Sequence, residues 1–443
     1  MKKRDWIVRH ACCLFIASVL FSSVAFADAP ALVSGPTNLL GTQPMRISAE
    51  NAVHFKRYFP PEVFQLFSSA QFEINAAASV AGAELLDLKA GHSALLTAKN
   101  PDAPALRKAL NVAGGLPYGD ASAIQMEANL EAKAQKIFLN VSAVFAQQKV
   151  LDAELRLFLV RDNKFQNALA ARFVRNYILT DETMPLSTQF FREALTLQTP
   201  QALAGYSWTT YRFIGADEDM LWVYSPATAK VRQLSSANRG DDFLQLGFSV
   251  DDLFTWSGSQ HSIVVQTIEE QDVLVPVETQ GSKLVTHDGD CMVTDRLDAT
   301  GGLSSNWNFQ ALEFPRGAAW LPARVVFVPR KVWKILVTPN DPFAAQGRQI
   351  LYIDQKSFQP IYKEVFERSG SLHRIVFSVF GSSQSEAGPR RLEWRSTVAI
   401  APQKSETAML DVARSWSCST VRDGARASDL EPIKATKEMA KGL

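Results

Sequence analysis

The chain has 443 residues, 47% of them hydrophobic and 10% aromatic, with 46 Lys and Arg against 45 Asp and Glu. A formal net charge of +1 gives no electrostatic bias toward nucleic acid or an anionic membrane, and the apolar content excludes a wholly disordered chain. Residues 1–27 read as a secretory signal peptide: Lys2, Lys3, Arg4 and Arg9 are basic, Ala11 to Val24 is apolar, and Ala25-Phe26-Ala27 sets a small-x-small cleavage site before Asp28. The apolar run is shorter than the roughly 20 residues of a spanning helix, which favours cleavage over a retained anchor. Cys12 and Cys13 open this run rather than follow it, so neither suits acylation as a lipoprotein signal. Cleavage removes four basic residues and Asp5 and leaves a net charge of −2. Of four cysteines, Cys291 and Cys418 remain, and an even count in an exported chain favours a disulfide over two separate buried thiols.

From about 60 to 200 the pattern is mostly helical. PPEVFQLF follows a proline pair; ALRKALNV, IQMEANLEAKAQKIFLNVSAVF and ALAARFVRNYIL come next, and QKIFLNVSAVF has enough β-branched and aromatic residues to begin a strand instead. From about 205 the signal changes to short runs punctuated by turns, from YSWTTYRFIG, MLWVYSP and KVRQL through HSIVVQTIE, QDVLVPVET, ARVVFVP and KVWKILVTP to RQILYID, PIYKEVFER and LHRIVFSVF. Such spacing predicts an antiparallel meander, with Ser369-Gly370 as the tight turn of a hairpin. Several runs are apolar on both faces: Leu221 and Val223 oppose Trp222 and Tyr224, and Ile350 and Tyr352 oppose Leu351 and Ile353. A sheet of this kind must be covered on both sides. No linker or repeat divides the chain. The expected layout is a helix-rich part over residues 28–200 packing on the sheet, a β-rich part over 201–400, and a charged tail over 401–443 whose first half Cys418 ties down.

The segment from Leu221 to Trp256 carries a W-x-Y-x-P pattern at Trp222, Tyr224 and Pro226, then Val231-Arg232, then Asp251-Asp252-Leu253. A second block holds Arg330, Val332 and Trp333, then RQILYID from Arg348 to Asp354, then Ser369-Gly370 before Leu372, His373 and Arg374. This succession resembles the bacterial domain-of-unknown-function family 1329 and, more distantly, the outer-membrane lipoprotein-sorting (Lol-type) carriers. The resemblance implies a mainly β, α+β fold: a strongly curved antiparallel sheet, or half-barrel, enclosing helices and an apolar cavity. It also implies a partner, either a transporter of the resistance-nodulation-division (RND) type or an outer-membrane protein.

Enzyme signatures are mostly absent from the sequence: no G-x-S-x-G, H-E-x-x-H, C-x-x-C, Walker A or G-x-G-x-x-G pattern occurs. No cofactor or metal is expected. His54, His92, His261, His287 and His373 are the histidines beyond the signal region. His287-Asp288-Gly289-Asp290-Cys291 gathers metal-like donors but lacks the spaced oxygens and distal glutamate of a calcium loop, so a polar hairpin turn is the favoured reading. Asp251 or Ser249 is expected to cap a helix. Alternatively, Asp251 or Asp252 pairs with Arg232 or Arg239 as a latch across the mouth of the sheet. Trp222, Tyr224, Phe248, Trp256, Trp333, Tyr352 and Tyr362 are either core or the lining of a hydrophobic cavity. The function favoured is a periplasmic carrier, free or associated with the outer membrane, of a lipid, lipoprotein acyl chain or other hydrophobic small molecule, acting without chemistry. The alternatives are an envelope scaffold without cargo and a lipid or ester hydrolase using His261, His287 or His373 as its base.

Overall fold

A computed structural model describes residues 40–68, 72–80, 101–111, 116–162, 164–180, 188–214, 218–278, 283–289, 291–296, 325–383 and 391–418. The signal region with Ala27 and Asp28 lies outside them. In chain order the elements are β1 (Met45–Ile47), α1 (Pro61–Ser68), β2 (Ile74–Ala76), α2 (Ala103–Leu110), α3 (Ala121–Gln125) and α4 (Leu130–Ala143), then β3 (Val150–Arg161), β4 (Lys164–Asn176), β5 (Gln189–Leu197), β6 (Ser207–Phe213), β7 (Met220–Ser225) and β8 (Lys230–Leu234). After a long loop follow β9 (Ile263–Glu278), β10 (Lys283–Asp288), β11 (Cys291–Arg296), β12 (Val325–Pro339), β13 (Gln346–Asp354), β14 (Pro360–Glu367), β15 (Leu372–Ser383), β16 (Arg391–Ala401) and β17 (Glu406–Cys418).

Thirteen of these strands form one antiparallel ribbon, ordered β8-β7-β6-β5-β4-β3-β17-β16-β15-β14-β13-β12-β9. The β10–β11 hairpin lies beside the C-terminal half of β17, and the β1–β2 pair touches β12 at Phe327. A parallel bridge between Val277 and Phe380 brings the end of β9 back to β15. The result is a strongly curved sheet, a half-barrel, with α4 in its concave face. The expected covering of both faces is visible at β14. Lys363 and Glu364 are neighbours on that strand and so point to opposite sides. Lys363 reaches the loop after β8, Glu364 accepts from the first turn of α1, and both are buried.

One expected helix is corrected, and the segment that suited either helix or strand is decided. ALAARFVRNYIL is strand rather than helix as far as Asn176: Leu169, Ala171 and Phe173 are buried while Ala170 and Arg172 are not, a period of two, and β4 pairs with β3 along the whole of β3. Alanine-rich helix propensity is a weak preference that so long a ladder overrides. Conversely, QKIFLNVSAVF lies in α4 through Ala143, capped by Asn129 and buried on most sides, as a helix inside a concave sheet must be. The stretch after Ala401 is likewise no tail at first: β17 lies mid-ribbon between β16 and β3. Residues 419–443 fall outside those described.

Cys291 and Cys418 sit opposite each other on β11 and β17 and form the expected disulfide, closing a loop of 127 residues. The loop-entropy relation assigns such a crosslink about 5 kcal/mol. The double variant Cys291→Ser/Cys418→Ser is expected to lower unfolding stability by about 3 to 5 kcal/mol in urea titration; an unchanged midpoint would show that this crosslink does not constrain the unfolded chain.

Candidate functional site

The loop between β8 and β9 does not form the expected helix. Ser249 and Asp252 make a reciprocal cap on a single 3-10 turn, Val250–Asp252, and the chain then turns through Phe254 and Thr255, at φ of 56° and 70°, before an irregular stretch to Ser259. Such angles are rare for bulky side chains and persist where surroundings impose them. Here the surroundings are the concave face. Phe254 lies 4.3 Å from Trp394 and 5.2 Å from Phe145, and the Arg175 guanidinium is 4.6 Å from Phe254 and 4.3 Å from Phe191. Trp256 packs 4.7 Å from Phe138 of α4 and folds over Gly258, where a Cβ would stand 2.6 Å from the indole nitrogen. Residues 249–259 are therefore a strap lining the inside of the half-barrel.

Buried cations hold the strap. Arg212 donates to the Ser257 and Gly258 carbonyls, at 2.8 and 2.7 Å, and pairs with Asp219. Arg239 donates to the Ser257 carbonyl and pairs with Asp251 at 2.7 Å and Asp219 at 2.9 Å. Arg175 pairs with Glu193 and donates to Ser257 Oγ. Lys363 bonds the Asp251 carbonyl and pairs with Asp252 at 2.6 Å; Arg374 lies 3.3 Å from Asp252 and pairs with Asp242. Of the expected latch, Arg239 and Asp251 meet, whereas Asp252 takes Lys363 and Arg374 instead. Arg232 is exposed on β8 and is not brought to the strap. Burial alone would raise the Asp252 carboxyl, but Arg374, Lys363 and the Ser249 amide hold it at about 2. Asp219 is likewise lowered because Arg212 and Arg239 outweigh its burial.

The seven aromatic candidates mostly belong to the core. Phe248, Trp256, Trp333, Tyr352, Tyr362 and Tyr224 are buried, and Trp222 is half-buried against Tyr211. Tyr362 bonds the Leu274 carbonyl and Tyr352 bonds Glu364. None of them lines the groove of about 840 Å³ that runs between α4 and the start of β9. Its walls are Leu130, Ala134 and Phe138 from the helix and Ile263, Val264 and Val265 from the strand, with Glu131, Gln135, Gln260 and His261 as polar members. Trp256 stands one layer behind, against Phe138. Burial lowers the His261 imidazole, whose Nε2 lies 3.2 Å from Gln260 Nε2. His373 lies 3.7 Å from Glu367 and 4.0 Å from Asp242. The side chain of His287 lies outside the described residues; Gly289 at φ 61° makes the turn between β10 and β11.

A family model described as "Protein of unknown function (DUF1329)" matches residues 47–412. The chain belongs to the DUF1329 family. Among solved structures, this DUF1329 chain is similar to an outer membrane lipoprotein-sorting protein domain from Vibrio parahaemolyticus, with 14% identity, a TM-score of 0.44, and coverage of 68% of this chain and 97% of that one. It is also similar to a DUF1329 family protein from Desulfovibrio piger (11%, 0.37, 63% and 89%) and a LolA superfamily protein from Nitrosomonas europaea (11%, 0.38, 66% and 96%). No curated protein matches it.

Two measurements follow from the charges of the DUF1329 chain. Lys363→Met leaves Asp252 buried with its charge only partly matched and is expected to cost about 3 to 5 kcal/mol of stability; a loss under about 1 kcal/mol would show that Lys363 does not hold the strap. On the other face, burial raises the Glu364 carboxyl to about 7, against the opposing effect of the Glu62 amide. A carboxyl that binds its proton more tightly folded than unfolded contributes stability in full below about pH 4.5 and loses it as pH rises through 7. Glu364→Gln is expected to remove this loss, so that the variant gains on wild type by on the order of 3 kcal/mol between pH 4.5 and 8. Parallel pH–stability curves would show that Glu364 ionises normally.

Proposed function

We propose that this DUF1329 protein is an exported binding protein of the cell envelope that holds a lipid or other hydrophobic molecule in the groove between α4 and β9, without chemistry. The observation that carries this reading is the groove itself. Its volume of about 840 Å³ lies within the range of roughly 300–1,000 Å³ common to small-molecule sites, and its two long walls are apolar. Each CH₂ moved from water into such walls is worth about 0.8 kcal/mol, so an acyl chain of about 16 carbons has on the order of 10 kcal/mol available before the costs of binding. The N-terminal basic–apolar–small pattern supports export to the periplasm, and the Cys291–Cys418 bond fits an oxidising compartment. A carrier of this kind hands its cargo to a membrane partner, for which an RND-type transporter or an outer-membrane protein is the class proposed.

One observation favours a scaffold without cargo: the concave interior, where a carrier cavity would be expected, is occupied by α4 and the strap. The two readings separate on the mature protein purified from an envelope fraction without detergent. Native mass spectrometry with lipid extraction is expected to find a stoichiometric hydrophobe. Leu130→Glu and Val264→Glu, which put charge on partly exposed groove positions, are each expected to weaken uptake of a fluorescent acyl probe by about tenfold, or 1.4 kcal/mol, with stability unchanged. A clean apo mass together with no uptake of the probe would remove the carrier reading and leave the scaffold.

A further inference from the structure

The groove has a second property that its volume does not express. Consecutive side chains of a strand point to opposite faces, so a groove bounded by a face meets every second residue. This groove meets Ile263, Val264 and Val265 in succession. It therefore runs along an edge of β9. The opposite edge is taken by β12, from Ile263 against Pro339 to Thr267 against Leu336. Among the described residues, no strand pairs with β9 on the groove side until Val277.

An unpaired strand edge presents a row of backbone donors and acceptors, and folded proteins usually guard such edges with charge. The guard here is uneven. Glu269, Glu270 and Asp272 stand along the middle of β9, whereas Ile263 to Thr267 carries no charged side chain, and Val264 is 45% exposed. A bulge at Gln266, between the pairings of Val265 and Thr267, marks the boundary. Facing the unguarded stretch, α4 presents Leu130, Ala134 and Phe138, four residues apart and so on one stripe. That stripe spans about 12 Å at 1.5 Å per residue, the length of roughly four residues of extended chain. The two walls match in length.

We propose that the edge of β9 at Ile263–Thr267 receives an extended polypeptide segment of another protein, which adds a strand to the sheet and lays alternate apolar side chains against α4. Backbone pairing with β9 supplies affinity, and the α4 stripe selects apolar residues at every second position. The inference goes beyond the reading of the groove as a lipid site, because it rests on backbone geometry and the distribution of charge along one edge rather than on apolar volume.

The test uses the mature, disulfide-bonded protein and a capped octapeptide of alternating threonine and valine, with a control in which the central valine is proline. Alternate amides of an edge strand bond its one neighbour, so hydrogen exchange of those amides in 263–267 that point away from β12 is expected to slow at least tenfold with the first peptide and to be unchanged with the proline control. Val264→Lys, which places a guarding charge on this edge, is expected to abolish the effect. The inference is overturned by equal exchange with and without saturating peptide, or by amides already as protected in the free protein as those of β12, since the chain would then cover its own edge. It is equally overturned by protection that grows with protein concentration alone, because the occupant would then be a second copy. Acyl-probe uptake measured on the same sample keeps the two readings apart: uptake without peptide protection removes only this inference, and protection without uptake removes only the lipid site.

Discussion

The arrangement of this molecule depends on one constraint: five buried cations must find their charge inside a curved sheet. Arg175, Arg212, Arg239, Lys363 and Arg374 come from β4, β6, the loop after β8, β14 and β15, and four of them donate to the strap of residues 249–259. Leaving one such charge without its partner costs several kcal/mol, so positions of the strap in which Asp251, Asp252 or the Ser257 carbonyl is displaced are penalised together. The strap is thus fixed less by the strength of any single pair than by the penalty on every alternative. Phe254 and Thr255 take left-handed backbone angles within this frame, and Phe254 enters a pocket made by Phe145, Phe173 and Trp394.

Filling the concave face in this way decides where a ligand can go. With α4 and the strap in the interior, the apolar volume that remains is lateral, at the line where α4 leaves the edge of β9. Around β12 and β14 the other face is covered as well, by α1 and the β1–β2 pair, with Glu364 buried beneath the first turn of α1. What remains for a ligand near α4 is the edge of β9, and the groove lies there.

Much of this was legible in the residues. The turns at Gly370 and Gly289, the meander after 205, the two-faced apolar strands and the cysteine pair all rest on local rules, and the structure follows them. Residues 150–197 were not legible, because alanine and arginine in ALAARFVRNYIL favour a helix locally and only pairing with β3 reveals the period of two. The strap's partners were half legible. Arg239 with Asp251 is a near neighbour in sequence, but Lys363 and Arg374 lie more than a hundred residues away. Their signal was a charge in the middle of an apolar run, in PIYKEVFE and LHRIVFS, which marks a buried ion pair without naming the partner. The groove gives no separate signal in the residues, because its wall is built of Leu130, Ala134 and Phe138 at a spacing that reads equally as plain core.

The most direct test of the account is a crystal structure of the mature protein soaked with a brominated alkyl chain, whose anomalous signal locates the halogen without ambiguity. Bromine is expected between α4 and the edge of β9, with the strap and its ion pairs in place. Bromine within the concave face, with residues 249–259 displaced, would contradict it and make the strap itself the gate of an interior cavity.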